Sequence, residues 1–408
     1  MTGISDAPAK TRLYFFDTIR YFIIYFVIMQ HVALIYGGYG GKDELSRSIF
    51  NLTISLTDMF MMPIMFFIAG FFALSSIRRH GTAGFLLGKV KRIWLPWLAG
   101  VLLLIPVSIY FMYFVRMKTG GEEPIRYFPY WMHFMKTAAS FHTGYVPSPD
   151  HFSHKHMWFL SNLFAFFVVF AGLYRIFGGK AGEAAEAEKT PPGKPLPIPA
   201  VLLIAGVLSW LGYFATTLLF SWNYRAILIL NLIHFEPART VVYVVYFSMG
   251  VYARSRGWFS DGTPIGRLSV WGPVCAVLLV IYSRICLVPP TELTIPVKLG
   301  VSFVRLFLSL SILVVLTSVG LRRWNNPGAL GTFLGRNSYV VYIIHYPIHA
   351  ALAAAFVYWN AHLLVLAVAL FAVTTVASYL LSGYVVRRWV AGSVAAMIVI
   401  NVVMLVLL

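Results

Sequence analysis

Eleven apolar runs follow one another along this 408-residue chain, and each is long enough to cross a lipid bilayer as a helix if the short run 240–253 extends back toward Ala238. A bilayer core requires about 20 predominantly apolar helical residues, and no water-soluble fold could bury so many such runs. Hydrophobic residues make up 59% of the sequence and charged residues only 11%, which also excludes a disordered chain. The runs lie near 13–36, 49–77, 93–115, 157–174, 199–220, 240–253, 269–288, 300–320, 337–357, 363–386 and 391–408. The sequence therefore predicts an all-α, polytopic membrane helical bundle of eleven helices, or ten if the last run does not span.

Basic residues punctuate these runs and give the chain a net charge of +18. They form no stripe, so membrane topology explains them better than nucleic-acid binding, and no nucleic acid is expected as a partner. With the N-terminus in the cytoplasm, nineteen basic residues fall in inner loops and ten in outer loops, as the positive-inside rule requires. We predict one transmembrane domain over 1–408, with an outer loop at 116–156 and a cytoplasmic linker at 178–199.

A few ionisable side chains fall inside the apolar runs, where lipid makes them costly and each becomes a candidate functional residue. They are Asp17, Arg20, His31, Asp58, Arg284, Arg305, His345 and His349. Five further histidines, in the predicted outer loop, are expected to be solvated. These are His133, His142, His151, His154 and His156.

Arg20 and His31 are the strongest pair of candidates, because they are eleven residues apart on one predicted helix. Eleven helical steps place two side chains within about 20° of the same face and roughly 16 Å apart along the axis. One helix would then present a fixed cation in its inner half and a titratable base in its outer half. The alternative is that Arg20 pairs with Asp17 and that His31 is a packing residue.

Three more intramembrane residues have two interpretations each. Asp58 is predicted near the middle of the second run, where a carboxylate could orient or charge-balance His31, or pair with a nearby arginine. His345 and His349 share a helix face at the spacing of a zinc pair, but no third ligand motif accompanies them, so no metal is predicted. His345 could line the same cavity as Arg20.

Clusters of basic residues also have two interpretations. Lys89, Lys91 and Arg92, with Arg336 on the same side, are either ordinary inner-loop charges or a binding site for phosphates. Arg284 and Arg305, near the outer ends of their runs, either extend toward the interface or orient an acceptor.

Five stretches, in order along 14–350, resemble motifs of the bacterial acyltransferase 3 family of multi-pass membrane enzymes. They are 16–20 with His31, 65–72, 89–92 with Pro96, 156–160, and 334–339 with Tyr342 and His345. There are departures, since Ala69 replaces the family's serine and the Ser-x-x-Glu that follows the tryptophan motif in the O-antigen and peptidoglycan acetylases is absent. The pattern is more similar to the branch that succinylates osmoregulated glucans.

The resemblance implies acyl transfer from an acyl-CoA, either acetyl-CoA or succinyl-CoA, to a hydroxyl of an envelope glycan or small acceptor. It implies a bacterial cytoplasmic (inner) membrane and no bound cofactor. His31, Arg20 and Asp58 become the expected catalytic residues, and Arg284 and Arg305 the acceptor side. Residues expected to bind acyl-CoA are Asp17, Lys89, Lys91, Arg92, Trp158, Arg336 and His345.

The residues alone allow a rival from another class. A secondary transporter or flippase for a sugar or an anionic solute would place the same arginines and histidines along its pathway.

Overall fold

The computed structural model describes residues 13–39, 44–146, 152–178, 195–220, 227–288 and 294–407. Most of the predicted cytoplasmic linker, 179–194, lies outside the described residues, as does His151. The described residues form fourteen α-helices, α1 to α14, with the bounds Phe15–Tyr39, Glu44–Asp58, Met61–Lys89, Leu95–Leu103, Ile105–Gly120, Tyr127–Ala138, Trp158–Leu173, Ile198–Phe220, Pro237–Ser255, Leu268–Leu287, Ile295–Arg323, Ala329–Phe356, Leu363–Leu381 and Val390–Leu407. Short π-helical turns follow α3, α7 and α13, at Val90–Trp94, Tyr174–Gly178 and Ser382–Val386. The predicted all-α polytopic fold is confirmed.

Nine helical segments within the described ranges are long and apolar enough to span a membrane, against the predicted ten or eleven. Two predicted runs account for the difference. Run 93–115 is divided between α4 and α5 at Leu104, because Pro106 lacks the N–H that would continue the helical hydrogen-bond ladder. Run 240–253 forms α9, which is less apolar than every other helix except α2 and carries Arg239 and Arg254.

The prediction of a single helix over 49–77 is wrong. Helix α2 ends at Asp58 and α3 begins at Met61, with Pro63 in the first turn of α3, where its missing N–H costs nothing. Asp58 therefore ends a helix instead of lying in the middle of one. This break turns its carboxylate toward the interior of the bundle.

Helix α1, which carries Arg20 and His31, lies at the centre of the bundle. It packs against α2, α3, α11, α12 and α13, and the side chains of Phe15, Phe16 and Ile19 are fully buried. About half of this span is thus buried by protein, which lowers the cost of its ionisable groups.

Helices α3 and α9 cross with their backbones in direct contact. A β-carbon at Gly70 would lie 2.1 Å from the carbonyl oxygen of Phe247, and one at Gly250 would lie 2.1 Å from that of Phe67. Only glycine fits at such a crossing, as in small-residue contacts of membrane helices generally. The contact fixes how α3 and α9 lie relative to each other.

A small antiparallel sheet, which the sequence did not predict, covers the end of the bundle predicted to face outward. Its strands are β1 (Gly144–Tyr145), β2 (Ile227–Ile229) and β3 (Ile233–Phe235), hydrogen-bonded in the order β1-β2-β3. Asn231, in the β2–β3 turn, donates from its amide to the carbonyl oxygen of Thr137 at 2.9 Å. The sheet is thereby joined to α6.

The expectation that His154 and His156 are solvated loop residues is wrong, because both are buried. His154 Nε2 donates to the carbonyl oxygen of Asn231 at 2.7 Å, and burial lowers the pKa of His154 to about 4. His154 is therefore a neutral structural residue that joins the sheet to the short 3-10 turn Lys155–Met157. That turn carries His156 into the bundle.

Candidate active site

A cavity of about 590 Å³ opens beside His31. Its walls are mainly apolar, and its polar groups include His31, Asp58, Arg239 and Arg305. A mainly apolar cavity with a few convergent polar groups is typical of a site that binds a small molecule or one end of a larger one. The cavity is the natural starting point for a catalytic centre.

Three histidines from three separate parts of the chain meet at one side of this cavity. The ring centroids of His31 and His345 are 5.4 Å apart, those of His156 and His345 are 5.0 Å apart, and those of His31 and His156 are 6.2 Å apart. Tyr346 closes the group, with its ring 5.0 Å from that of His31 and stacked 4.8 Å from that of His156. We call His31, His156 and His345 the histidine cluster.

Backbone carbonyls determine which nitrogen carries the proton in two of these rings. His345 Nδ1 lies 2.8 Å from the carbonyl oxygen of Tyr342, so it must donate, and His345 Nε2 is left as the unprotonated nitrogen. His156 Nε2 likewise donates to the carbonyl oxygen of Ile343 at 3.1 Å, which leaves Nδ1 unprotonated. Both unprotonated nitrogens are buried without a hydrogen-bond partner in the described part of the chain. Each can therefore accept a proton or a hydrogen bond within the cluster.

His349 lies one turn beyond His345 and is fully buried. Its ring contacts that of Tyr346 at 6.1 Å between centroids. Across the described ranges, no group of three or more His, Cys, Asp or Glu side chains is arranged to hold a metal ion. The unprotonated nitrogens of His156 and His345 give the cluster the chemical capacity to accept protons.

Asp58 is held by two arginines on the opposite wall of the cavity. Its Oδ2 lies 2.7 Å from Nη2 of Arg305 and 2.9 Å from Nη2 of Arg239. Glu236 also pairs with Arg239, with 2.9 Å between Oε2 and Nε. Of the two interpretations that the sequence left open for Asp58, pairing with arginine is the one observed. Gln30, the neighbour of His31, hydrogen-bonds to Asp58 and links this network to α1.

The basic residues predicted to bind phosphates lie toward the other end of α1. Arg20 pairs with Asp17 at 2.9 Å, as the alternative interpretation expected, and its guanidinium lies 5.0 Å from the ring centroid of Phe72. Lys89 is close enough to Arg20 and Arg92 for electrostatic interaction. Three cations from α1, α3 and the π-helical turn are thus gathered on one side of the bundle.

The other predicted residues are distributed between the two ends. Trp158 lines the cavity beside His31, whereas Lys91 is exposed on the π-helical turn after α3. Arg284 is exposed and does not line the cavity, in contrast to Arg305. Arg336 lines a second cleft, between the beginning of α12 and the π-helical turn Ser382–Val386.

Sequence reasoning missed His156 and Arg239. His156 opens a motif of the resembled family, which was the available signal, but its position in a predicted loop favoured a solvated side chain. Arg239 was assigned to an outer loop, because nothing in the sequence shows that α9 begins at Pro237 and delivers Arg239 to Asp58.

Fold and cavity together define a multi-pass membrane protein with a histidine-rich site inside its helical bundle. The family model for the acyltransferase domain matches residues 13–383. The chain belongs to this family, the acyltransferase 3 family, as the order of motifs indicated.

Curated relatives agree with this assignment. The chain is similar to proteins named glucans biosynthesis protein C from Salmonella paratyphi B, Salmonella dublin and Salmonella schwarzengrund. Each is 23% identical over 356 residues, covering 85% of this chain and 84% of the relative. No solved structure matches the chain.

Proposed function

We propose that this protein is an O-acyltransferase of the bacterial inner membrane, which moves an acetyl or succinyl group from acyl-CoA to a hydroxyl of an envelope glycan or another hydroxylated acceptor. His31 is the catalytic base, and no bound cofactor takes part.

The observation that carries the proposal is that His31 lines the cavity and lies beside two histidines of fixed tautomer, His156 and His345. A hydroxyl is a weak nucleophile near neutral pH and needs a base positioned to take its proton. His31 borders space in which a hydroxyl can bind, and His345 Nε2 or His156 Nδ1 can accept the proton on the other nitrogen of His31. That arrangement would leave the nitrogen that faces the cavity unprotonated.

The chemistry balances without a further reactant. The acceptor oxygen attacks the thioester carbonyl carbon as its proton passes to His31, the carbon–oxygen bond forms, and the carbon–sulfur bond breaks. His31 then returns the proton to the departing thiolate, so the products are the ester and free CoA. His345 and His156 act as positioning residues in this scheme.

Charge distribution supports entry of the donor from the end of α1 that carries Arg20. CoA carries several phosphate charges, for which Arg20, Lys89 and Arg92 supply fixed cations. Arg20 and His31 are eleven residues apart, which corresponds to roughly 16 Å along a helix. An extended pantetheine arm is long enough to bridge this distance, and it would bring the thioester to His31.

Charge at the opposite wall supports binding of a hydroxylated acceptor in the cavity. The carboxylate of Asp58 and the guanidinium groups of Arg239 and Arg305 provide hydrogen-bond acceptors and donors in fixed positions. The hydroxyls of a sugar can donate hydrogen bonds to the carboxylate and accept hydrogen bonds from the guanidinium groups. Trp158 and Tyr282 add aromatic surface on which a sugar ring can stack.

The test uses purified protein in proteoliposomes with radiolabelled acetyl-CoA and succinyl-CoA, together with a periplasmic glucan fraction as acceptor. We expect release of free CoA thiol and label on the glucan with one of the two donors, both abolished in His31→Ala. Transport of labelled solute without thiol release would instead support the transporter or flippase. Absence of both activities, in protein that stays folded, would reject the proposal as well.

A further inference from the structure

A second cleft, of about 610 Å³, lies between the beginning of α12 and the π-helical turn Ser382–Val386. Nine residues line it, and three of them are arginines: Arg336 from α12, and Arg387 and Arg388 just after the turn. No acidic residue is among the nine. The cleft therefore concentrates three positive charges, and it shares no lining residue with the cavity beside His31.

Side chains around the cleft contact two of the three arginines. Asn337 Oδ1 accepts hydrogen bonds from Ser382 at 2.9 Å and from Nη1 of Arg387 at 3.4 Å. The guanidinium of Arg388 lies 5.6 Å from the ring centroid of Tyr384. Gly383 permits the close approach, since a β-carbon there would lie 2.6 Å from the ring of Phe333. Arg387 and Arg388 are thus each in contact with a neighbouring side chain, while the side chains of all three arginines remain exposed at the cleft.

Three guanidinium groups in one recess repel one another unless an anion lies between them. In the described residues, none of the three makes a salt bridge with a carboxylate. Arginine presents planar forks of N–H donors that match phosphate oxygens, so phosphate is the anion that such a recess fits best.

The cleft lies at the level of a membrane surface. The apolar segment Leu363–Val386 ends immediately before Arg387, and the apolar helix Val390–Leu407 begins two residues after Arg388. Trp389, between them, is 70% exposed, and tryptophan is enriched at the membrane interface. Headgroup phosphates lie at this depth.

The general excess of basic residues in inner loops does not explain why three arginines converge in this cleft. Arg322 and Arg323, at the end of α11, are a comparable exposed pair, but they line neither this cleft nor the cavity. The positive-inside rule accounts for the charge of both pairs. It does not account for the convergence of Arg387 and Arg388 with Arg336 from another helix.

We propose that this cleft binds a phosphate group, through Arg336, Arg387 and Arg388. The phosphate can come from the headgroup of an acidic phospholipid or from a nucleotide, and the interfacial depth of the cleft favours the lipid. The site does not require acyl transfer to occur, so it stands independently of the proposed function.

The experiment measures binding to purified full-length protein in a neutral detergent. Dihexanoyl phosphatidylglycerol is titrated against the zwitterionic dihexanoyl phosphatidylcholine, and adenosine 3′,5′-bisphosphate against adenosine. The variants are Arg387→Gln/Arg388→Gln and Arg336→Gln, and the matched control is Arg322→Gln/Arg323→Gln. Native mass spectrometry and the thermal unfolding midpoint report on binding, and the midpoint without ligand shows that each variant is folded.

We expect phosphatidylglycerol to bind and phosphatidylcholine not to. Arg387→Gln/Arg388→Gln should weaken binding roughly tenfold or more, Arg336→Gln should weaken it severalfold, and the control should remain within about twofold of wild type. Binding of the bisphosphate instead of the lipid, weakened by Arg387→Gln/Arg388→Gln and not by the control, would support the phosphate site with a nucleotide as its source. The proposal is overturned if neither ligand binds more tightly than its uncharged or zwitterionic counterpart, or if both double variants weaken binding equally.

Discussion

The imidazole of His345 lies 5.4 Å from that of His31 between centroids, with 28° between the ring planes. His345 Nδ1 donates its hydrogen to backbone carbonyl oxygens, so Nε2, the nitrogen that remains available to His31, is unprotonated. A carboxylate often orients a catalytic histidine, whereas here two neutral imidazoles surround it.

Replacement of His31 by alanine should abolish acyl transfer while the bundle stays folded. A general base contributes on the order of 10²–10⁴-fold to a rate. The measurement is CoA thiol release by purified protein, with the unfolding midpoint measured in parallel. His133→Ala is the matched control, because His133 is exposed on α6. Activity close to wild type in folded His31→Ala would remove His31 from the mechanism.

Changes at His345 should affect the rate and its pH profile more than donor binding. His345→Ala removes the unprotonated nitrogen near His31, and we expect kcat to fall roughly 10–100-fold with a smaller change in KM for acyl-CoA. His345→Gln should retain part of the activity, since its side-chain oxygen can accept a hydrogen bond. A purely packing role would leave the pH profile of kcat unchanged in both variants.

Removal of Asp58 should destabilise the protein more than removal of the whole ion pair. Asp58→Asn leaves Arg239 and Arg305 without their shared carboxylate, and breaking a buried pair typically costs about 3–5 kcal/mol. The double variant Asp58→Asn/Arg305→Gln restores the charge balance and should recover part of this loss. Unfolding midpoints of the two single variants and the double variant measure the coupling. If the loss of stability in the double variant equalled the sum of the losses in the two single variants, the coupling between Asp58 and Arg305 would be contradicted.

Alanine at Gly70 or Gly250 should reduce the folded yield sharply. Each new β-carbon would meet a backbone carbonyl at 2.1 Å, which only separation of α3 from α9 can relieve. Overpacking costs about 1–3 kcal/mol even where side chains can move. Gly272→Ala, on α10 with no atom within 4 Å of the new β-carbon, is the control. Equal yields of Gly250→Ala and Gly272→Ala, by size-exclusion chromatography, would show that the helices are not in contact.

His154 should make stability fall as the solution is acidified. Its pKa is about 4 in the folded protein and about 6.5 in an unfolded chain. Between these values the unfolded state binds the proton and the folded state does not, so stability decreases as the pH falls from 7 toward 4. His154→Gln should reduce the slope of the unfolding midpoint against pH. Identical slopes in both proteins would mean that His154 is already protonated when folded.

The central helix and the placement of its two candidate residues, Arg20 and His31, could be predicted because both depend on local spacing. A helix places residues 20 and 31 near one face whatever surrounds it, and the apolar runs had to become helices in lipid. The motifs of the resembled family predicted the family itself, and they marked the stretch that contains Tyr342 and His345.

Residues that depend on packing between distant segments could not be predicted in the same way. Arg239 reaches Asp58 only because α2 breaks at Met59 and α9 begins at Pro237. His156 enters the bundle only because the turn before α7 is fixed by the small sheet, which forms between segments about 80 residues apart. No local pattern encodes either arrangement.

At the crossing of α3 and α9, the residues that fix the spacing of the helices are different from the residues that line the cavity. The spacing of the helices that lead to Asp58 and Arg239 is fixed by the absence of two methyl groups, at Gly70 and Gly250, neither of which lines the cavity. Apolar residues that line the cavity can therefore be exchanged while its frame is retained. A lineage, or a laboratory selection, that seeks a cavity of new shape can vary these apolar wall residues, provided that the two glycines and the charged groups of the cavity are kept.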